Sequence, residues 1–237
     1  MSEQRERSDA AVQSMSRMCL IMFGAPGSGK GTQAKLLSEA LGVPHISTGD
    51  MLRERIARKD SLGLEVEGIL QAGGLVSDEI VNRLVAERIE QPDCAAGFIL
   101  DGYPRTVNQA KVLTEAPGIT PLVVYLKVDY NVIVARLAGR RLCPVCGTVY
   151  NLSREALKVC KNDGSKLMIR EDDREEVVRE RLKAYETQTR PVLQFFRKAG
   201  YPCWEIEGDT MGGPPAIARR IQELVSEKLG GAAGIRA

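Results

Sequence analysis

Apolar residues along the chain fall into two patterns, unbroken runs and helical stripes, and the two alternate. Met18-Cys19-Leu20-Ile21-Met22-Phe23 is a run of six apolar residues that ends at Gly24. Such a run predicts a central strand with both faces covered. Ala34, Leu37 and Leu41 then recur at helical spacing, with Gly42 placed to stop the helix. Residues 97–101, 122–128 and 203–206 predict further strands, and His45 lies on a short strand-like segment. A helix begins at about 132 and another spans 216–229. Strands alternating with helices predict an α/β fold, a parallel five-stranded sheet flanked by helices.

Two stretches do not fit the sheet and read as insertions. Residues 48–76 are helical and supply no strand; residues 142–173 lack helical periodicity and are rich in Cys, Gly, Lys and Asp. The core is then assembled from 18–47, 77–141 and 174–237. After the second insertion Asp173 is placed to cap a helix, with Glu176 three residues on completing a capping box. Val178, Leu182, Tyr185, Val192 and Phe196 form the buried stripe of that helix.

Composition narrows the function. The 237 residues carry 33 Lys and Arg against 31 Asp and Glu, a net charge of +2, and only 5% are aromatic. Near-neutral charge argues against coating nucleic acid or an anionic membrane, and sparse aromatics argue against base stacking on single strands. No apolar run reaches the roughly 18 residues of a membrane span. Residues 1–17 hold no apolar signal core and read as a disordered extension, so a cytoplasmic chain is expected.

Gly24-Ala25-Pro26-Gly27-Ser28-Gly29-Lys30-Gly31-Thr32 joins the first strand to the first helix. Glycines let successive backbone N–H groups turn inward, the helix start adds its positive end, and Lys30 reaches outer phosphates. The fold class is therefore P-loop NTPase-like. The Ser or Thr that would follow the lysine to ligate magnesium is Gly31 here, with Thr32 one place later. Magnesium is then expected to be held mainly by phosphates and water. The loop alone leaves GTPase, motor and kinase open.

Cys143-Pro144-Val145-Cys146 and Cys160-Lys161-Asn162-Asp163 form two knuckles of equal spacing. Cys143, Cys146, Cys160 and Asp163 would make a closed tetrahedral zinc site with no position left for a reacting group, hence structural. A disulfide is the rival, opposed by a reducing compartment. Cys19, Cys94 and Cys203 are isolated; Cys19 and Cys203 lie in predicted strands as small hydrophobes.

The loop GAPGSGKGTQAKLL, HISTGDMLR at 45–53, GFILDGYPRT at 97–106, RLAGRRLCPVCGTVY at 136–150 and IREDDREEVVRERLKAYE at 169–186 resemble adenylate kinase in its bacterial long-lid, zinc-containing form. The resemblance runs from about 18 to 229, with five motifs in register. It implies that 48–76 is a nucleoside-monophosphate-binding insertion and 142–173 a lid. It implies reversible, Mg²⁺-dependent phosphoryl transfer from ATP to AMP giving two ADP, by a monomer with no nucleic-acid or membrane partner.

The same resemblance implies roles for residues. Gly27, Ser28, Gly29, Lys30, Gly31 and Thr32 would bind ATP phosphates. Arg53 and Arg105 would hold the AMP phosphate, Arg140 the ATP phosphates, and Arg170 and Arg181 would bridge the transferring group; arginine stays charged and grips phosphate with a planar fork. Arg136 would stack on the ATP adenine, and Arg141 would bind phosphate or pair with a lid carboxylate. Asp101 would organise magnesium through water, or simply form a turn with Gly102. Thr48 would cap a helix near Met51 while its hydroxyl reads AMP adenine. Gln109 would offer donor and acceptor to that base, lined by the backbone of Gly74, Leu75 and Val76, with Gly102, Tyr103, Pro104 and Arg105 running along AMP. Val149 and Tyr150 would touch ATP from the lid, and Thr210 its adenine by backbone. His45 reads as structural.

Two rivals remain at this point. A UMP/CMP-type kinase would have a short lid, unlike this chain. A nucleotide-gated zinc-ribbon adaptor would show a basic stripe; instead Glu155, Asp163, Glu171, Asp172 and Asp173 offset Arg154, Lys158, Lys161 and Lys166.

Overall fold

The computed structural model describes residues 16–152, 156–209 and 212–230. The extension expected at 1–17 lies outside them apart from Ser16 and Arg17, and Arg17 already belongs to the first strand. Five parallel strands form the core: β1 (Arg17–Phe23), β2 (His45–Ser47), β3 (Gly97–Asp101), β4 (Ile119–Lys127) and, later in the chain, Cys203–Glu207. Their spatial order places β1 at the centre, flanked by β3 and β4, with β2 and the late strand at the edges.

The unbroken apolar run of β1 follows from this position. Cys19, Ile21 and Phe23 pack on one face with Val192 and Phe196, while Leu20 and Met22 pack on the other with Ala34, Leu37, Ile221 and Val225. Every one of those side chains is almost wholly removed from water, so alternation has no solvent face to mark. Four helices follow β1 and β2: α1 (Lys30–Leu41), α2 (Thr48–Arg58), α3 (Ser61–Gln71) and α4 (Asp78–Ile89). Helix α1 stops where Gly42 turns left-handed at φ 65°, as its sequence position predicts. Helices α5 (Val107–Glu115) and α6 (Tyr130–Gly139) complete the first part of the core.

Next comes β5 (Arg140–Leu142), which leads into the second insertion and pairs antiparallel with β6 (Val149–Asn151). Leu142 and Met168 exchange two backbone hydrogen bonds, at 2.8 and 2.9 Å, which tie the entering and leaving strands together. Cys143, Cys160 and Leu167 form a small core under Tyr150 and Leu157. The chain then runs through α7 (Glu175–Ala184), a π-helical turn at Tyr185–Thr189, α8 (Arg190–Lys198), strand β7 (Cys203–Glu207) and α9 (Gly213–Gly230). The stripe from Val178 to Phe196 is buried as predicted, although the wide turn divides it between two helices.

Two helix starts differ from the sequence reading. Asp173 does not cap α7: Arg174 stands at the cap position and no side chain bonds there. The Asp173 carboxylate is instead buried against arginines, and charge pairing in a buried site outweighs one exposed cap bond. Thr48 begins α2 rather than capping a later start; Ser47 is the cap, accepting from the Asp50 N–H at 3.3 Å. No helix among the described residues is long and apolar enough to cross a membrane.

Candidate functional site

The site lies at the carboxyl ends of β1 and β3, where a doubly wound sheet leaves a crevice between diverging connections. Loop 24–29 begins there and ends at Gly29, whose φ of 101° is open to glycine and strained for other residues. Its geometry turns Lys30 back over the loop. Lys30 Nζ donates to the carbonyls of Gly24 at 2.7 Å and Ala25 at 2.9 Å. Burial lowers the Lys30 pKa to about 8; Asp101 pulls it up, and Arg105, Arg181 and Arg140 push it down. Gly31 lies close against Asp101. A Cβ there would stand 3.1 Å from Asp101 Oδ2, so any larger residue needs the carboxylate to shift slightly.

Asp101 ends β3 with its carboxylate beside the loop. Burial disfavours its charge, but His45 and the Lys30 ammonium outweigh burial and hold it below the usual carboxylate range. His45 Nε2 stands 3.4 Å from Asp101 Oδ2, beside the site carboxylate.

The arginines converge through two carboxylates that the sequence reading had not assigned to them. Asp173 takes Arg140 through both oxygens, with Nε to Oδ2 at 2.6 Å, and lies 3.4 Å from Arg181 Nη1. Asp172 pairs with Arg170 at 3.1 Å and Arg181 at 3.0 Å, and its backbone carbonyl accepts from Arg181 at 2.8 Å. Burial and the neighbouring cations depress Arg181 to about 10. The available signal was the acidic pair itself, set between Arg170 and Arg174. Arg141 donates to the carbonyls of Ala138 and Arg140.

Across the cleft, a narrow crevice is lined by Thr48, Leu52, Gly74, Leu75, Val76, Gly102, Arg105 and Gln109 among others. Thr48 Oγ1 donates to the Gly102 carbonyl at 2.9 Å, and Arg105 Nε donates to the same oxygen at 2.8 Å. Gln109 Oε1 accepts the Arg105 N–H at 2.7 Å, which turns the amide NH₂ into the group left for a ligand. The Tyr103–Pro104 peptide is cis. Arg53 pairs with Asp50 at the edge of α2.

Arg136 bridges the phosphate loop to the last strand's turn, donating to Ser28 O at 3.2 Å and Gly208 O at 2.9 Å. Thr210 lies outside the described residues, as do Arg154 and Glu155. Tyr150 packs on the small core of Cys143, Cys160 and Leu167, where its hydroxyl lies 3.3 Å from Cys160 Sγ and accepts from the Lys161 N–H. Val149 is half exposed beside it.

Cys143, Cys146, Cys160 and Asp163 bring one ligand atom each to within 4.8 Å of one another. Backbone N–H groups of Val145 and Cys146 point at Cys143 Sγ, and that of Asn162 points at Cys160 Sγ. Three sulfurs and one carboxylate so gathered, with N–H groups aimed at the sulfurs, fit a divalent metal of tetrahedral preference.

The sequence pattern described as "Adenylate kinase" matches residues 22–201. An adenylate kinase of Thermosipho melanesiensis is 50% identical over 189 residues, covering 77% of this chain and 88% of the relative. That of Anaeromyxobacter dehalogenans strain 2CP-C is 46% identical over 215 residues, 88% of this chain and 99% of the relative. That of Pseudothermotoga lettingae is 47% identical over 186 residues, 76% and 86%.

Proposed function

The chain belongs to the adenylate kinase family, and from that membership we propose that its cleft transfers the terminal phosphoryl group of ATP to AMP, reversibly, giving two ADP. The reaction class, phosphotransfer between nucleotides, belongs to the family; the short-lid pyrimidine kinase and the zinc-ribbon adaptor are not favoured. The observation that carries the assignment of roles is the crowding of Lys30, Arg105, Arg140 and Arg181, each near enough to depress the Lys30 pKa. Folding sets these cations together against their mutual repulsion, and a polyanion relieves it.

In this reading the loop N–H groups and Lys30 hold the donor phosphates, and Arg140, Arg170 and Arg181 close on the transferring group. Arg53 and Arg105 hold the acceptor phosphate, Thr48 and Gln109 its base. Arg136, fixed between loop and β7, is set to cover the donor base. No covalent nucleophile is needed; alignment and charge do the work, and the closed lid keeps water from competing as acceptor. Magnesium, when bound with ATP, supplies charge neutralisation between phosphates, and Asp101, held ionised, is the acceptor group to order its water shell. Zinc is the proposed lid metal, structural because four protein ligands close its sphere. A monomer in the cytoplasm completes the reading, as the family resemblance implies.

Product analysis with Mg-ATP and each nucleoside monophosphate tests the proposal. ADP should form from AMP far faster than CMP or UMP yields its diphosphate; equal turnover with CMP would overturn the acceptor assignment.

A further inference from the structure

We propose that Asn82, on the outer side of the acceptor crevice, is a positioning residue for base selection, acting through the Tyr103 phenol on Gln109. The inference rests on the reading of that crevice as the AMP site.

Gln109 is 2% exposed, and contacts on three sides fix it. Its N–H donates to Thr106 Oγ1 at 3.1 Å, and its Oε1 accepts from Arg105. Because a backbone N–H only donates, the side-chain amide is held with its carbonyl toward Arg105 and its NH₂ free to donate. That polarity suits a ring nitrogen of adenine and opposes the N–H of uracil. The third contact is at its backbone oxygen, 3.2 Å from the Tyr103 hydroxyl.

Tyr103 is also 2% exposed, and its hydroxyl lies 2.7 Å from Asn82 Oδ1. One phenolic proton thus faces two acceptors, and the nearer is Asn82. With Asn82 in place the ring is drawn toward α4; without it the acceptor left among the described residues is the Gln109 carbonyl, and the hydroxyl pulls on α5 instead. A second link runs parallel: Thr106 Oγ1 donates to Asp78 Oδ2 at 2.8 Å. Helix α4 therefore grips the start of α5 twice, at Asp78 through Thr106 and at Asn82 through Tyr103. Both grips end on Gln109, one on its N–H and one on its C=O. Neither Asn82 nor Asp78 lines the crevice. Displacement of Gln109 by tenths of an ångström weakens directional hydrogen bonds to a base while leaving donor phosphates untouched.

The test compares steady-state kinetics of the full chain and Asn82→Leu with AMP, CMP and UMP as acceptors. Asn82→Leu should raise KM for AMP about tenfold, the order expected of one buried hydrogen bond, with kcat and KM for ATP within about twofold. The AMP-to-CMP ratio in kcat/KM should fall by a similar factor. The double variant Asn82→Leu/Tyr103→Phe, which replaces both polar partners by apolar groups, should recover most of the lost discrimination. Should Asn82→Leu fold poorly, Asn82→Ala carries the same comparison. An unchanged AMP-to-CMP ratio, or equal losses for AMP, CMP and ATP, would overturn the role of Asn82. A wild-type chain without preference for AMP would instead overturn the acceptor reading beneath it.

Discussion

Asp173 and Arg140 meet across the base of the lid, the carboxylate fully buried and gripping the guanidinium through both oxygens. The residue that local sequence rules assign to a helix cap serves as the fixed point for two arginines. Asp173→Ala would strand Arg140 and Arg181 in a buried site. Loss of one partner from such a pair costs about 3–5 kcal/mol, so Tm should fall by about 10 °C, with turnover reduced as well. Thermal unfolding followed by circular dichroism checks this; an unchanged Tm would show the pair to be of little account.

Lys30→Ala removes the one ammonium that the phosphate loop turns inward. Turnover should fall by about two to three orders of magnitude, the range for a preorganised donor at developing charge, while thermal stability is kept. Near-normal kcat in a coupled assay would remove the loop lysine from the mechanism.

The depressed pKa of Lys30 gives a signed pH dependence. Its value is about 8 in the folded chain against 10.5 ordinarily. Between those values the unfolded chain binds the extra proton, so stability of the nucleotide-free enzyme should rise with pH across that window. Phosphate oxygens favour the ammonium, so ATP binding near pH 8 should take up a proton. Calorimetry in two buffers of different ionisation enthalpy measures that uptake, which Lys30→Met should lack.

The lid metal should matter for stability before chemistry. Purified protein should contain one zinc per chain. Cys143→Ser or strong chelation should lower Tm, because the lid core of Cys143, Cys160 and Leu167 is too small to hold the segment unaided. Activity at low temperature should survive, since Arg140 and Arg170 are anchored by Asp173 and Asp172 outside the metal site. A variant that melts normally yet is inactive would contradict this division.

Much of the sheet was legible because its signals are local: six apolar residues in β1, the glycine-rich loop, and paired knuckles of equal spacing. The acceptor crevice was legible only as far as the family resemblance carried it. What sequence reading missed are contacts set by distant chain segments. Asp173 obeys a cap rule on paper, and only its neighbours in space show that Arg140 and Arg181 outbid the backbone. The contact of the Tyr150 hydroxyl with the cysteine knuckle likewise has no local signal. Asn82 and Asp78 lie on an amphipathic helix with no motif to mark them.

The paired backbone bonds between Leu142 and Met168 carry a consequence for how such enzymes diversify. Everything between those two residues is a cassette whose ends already touch. It could be excised, shortened or exchanged for a relative's version with the anchoring arginines, all outside it, left in place. Heat tolerance and metal requirement can thus be traded by swapping one segment, without rewriting the surfaces on which the phosphates react.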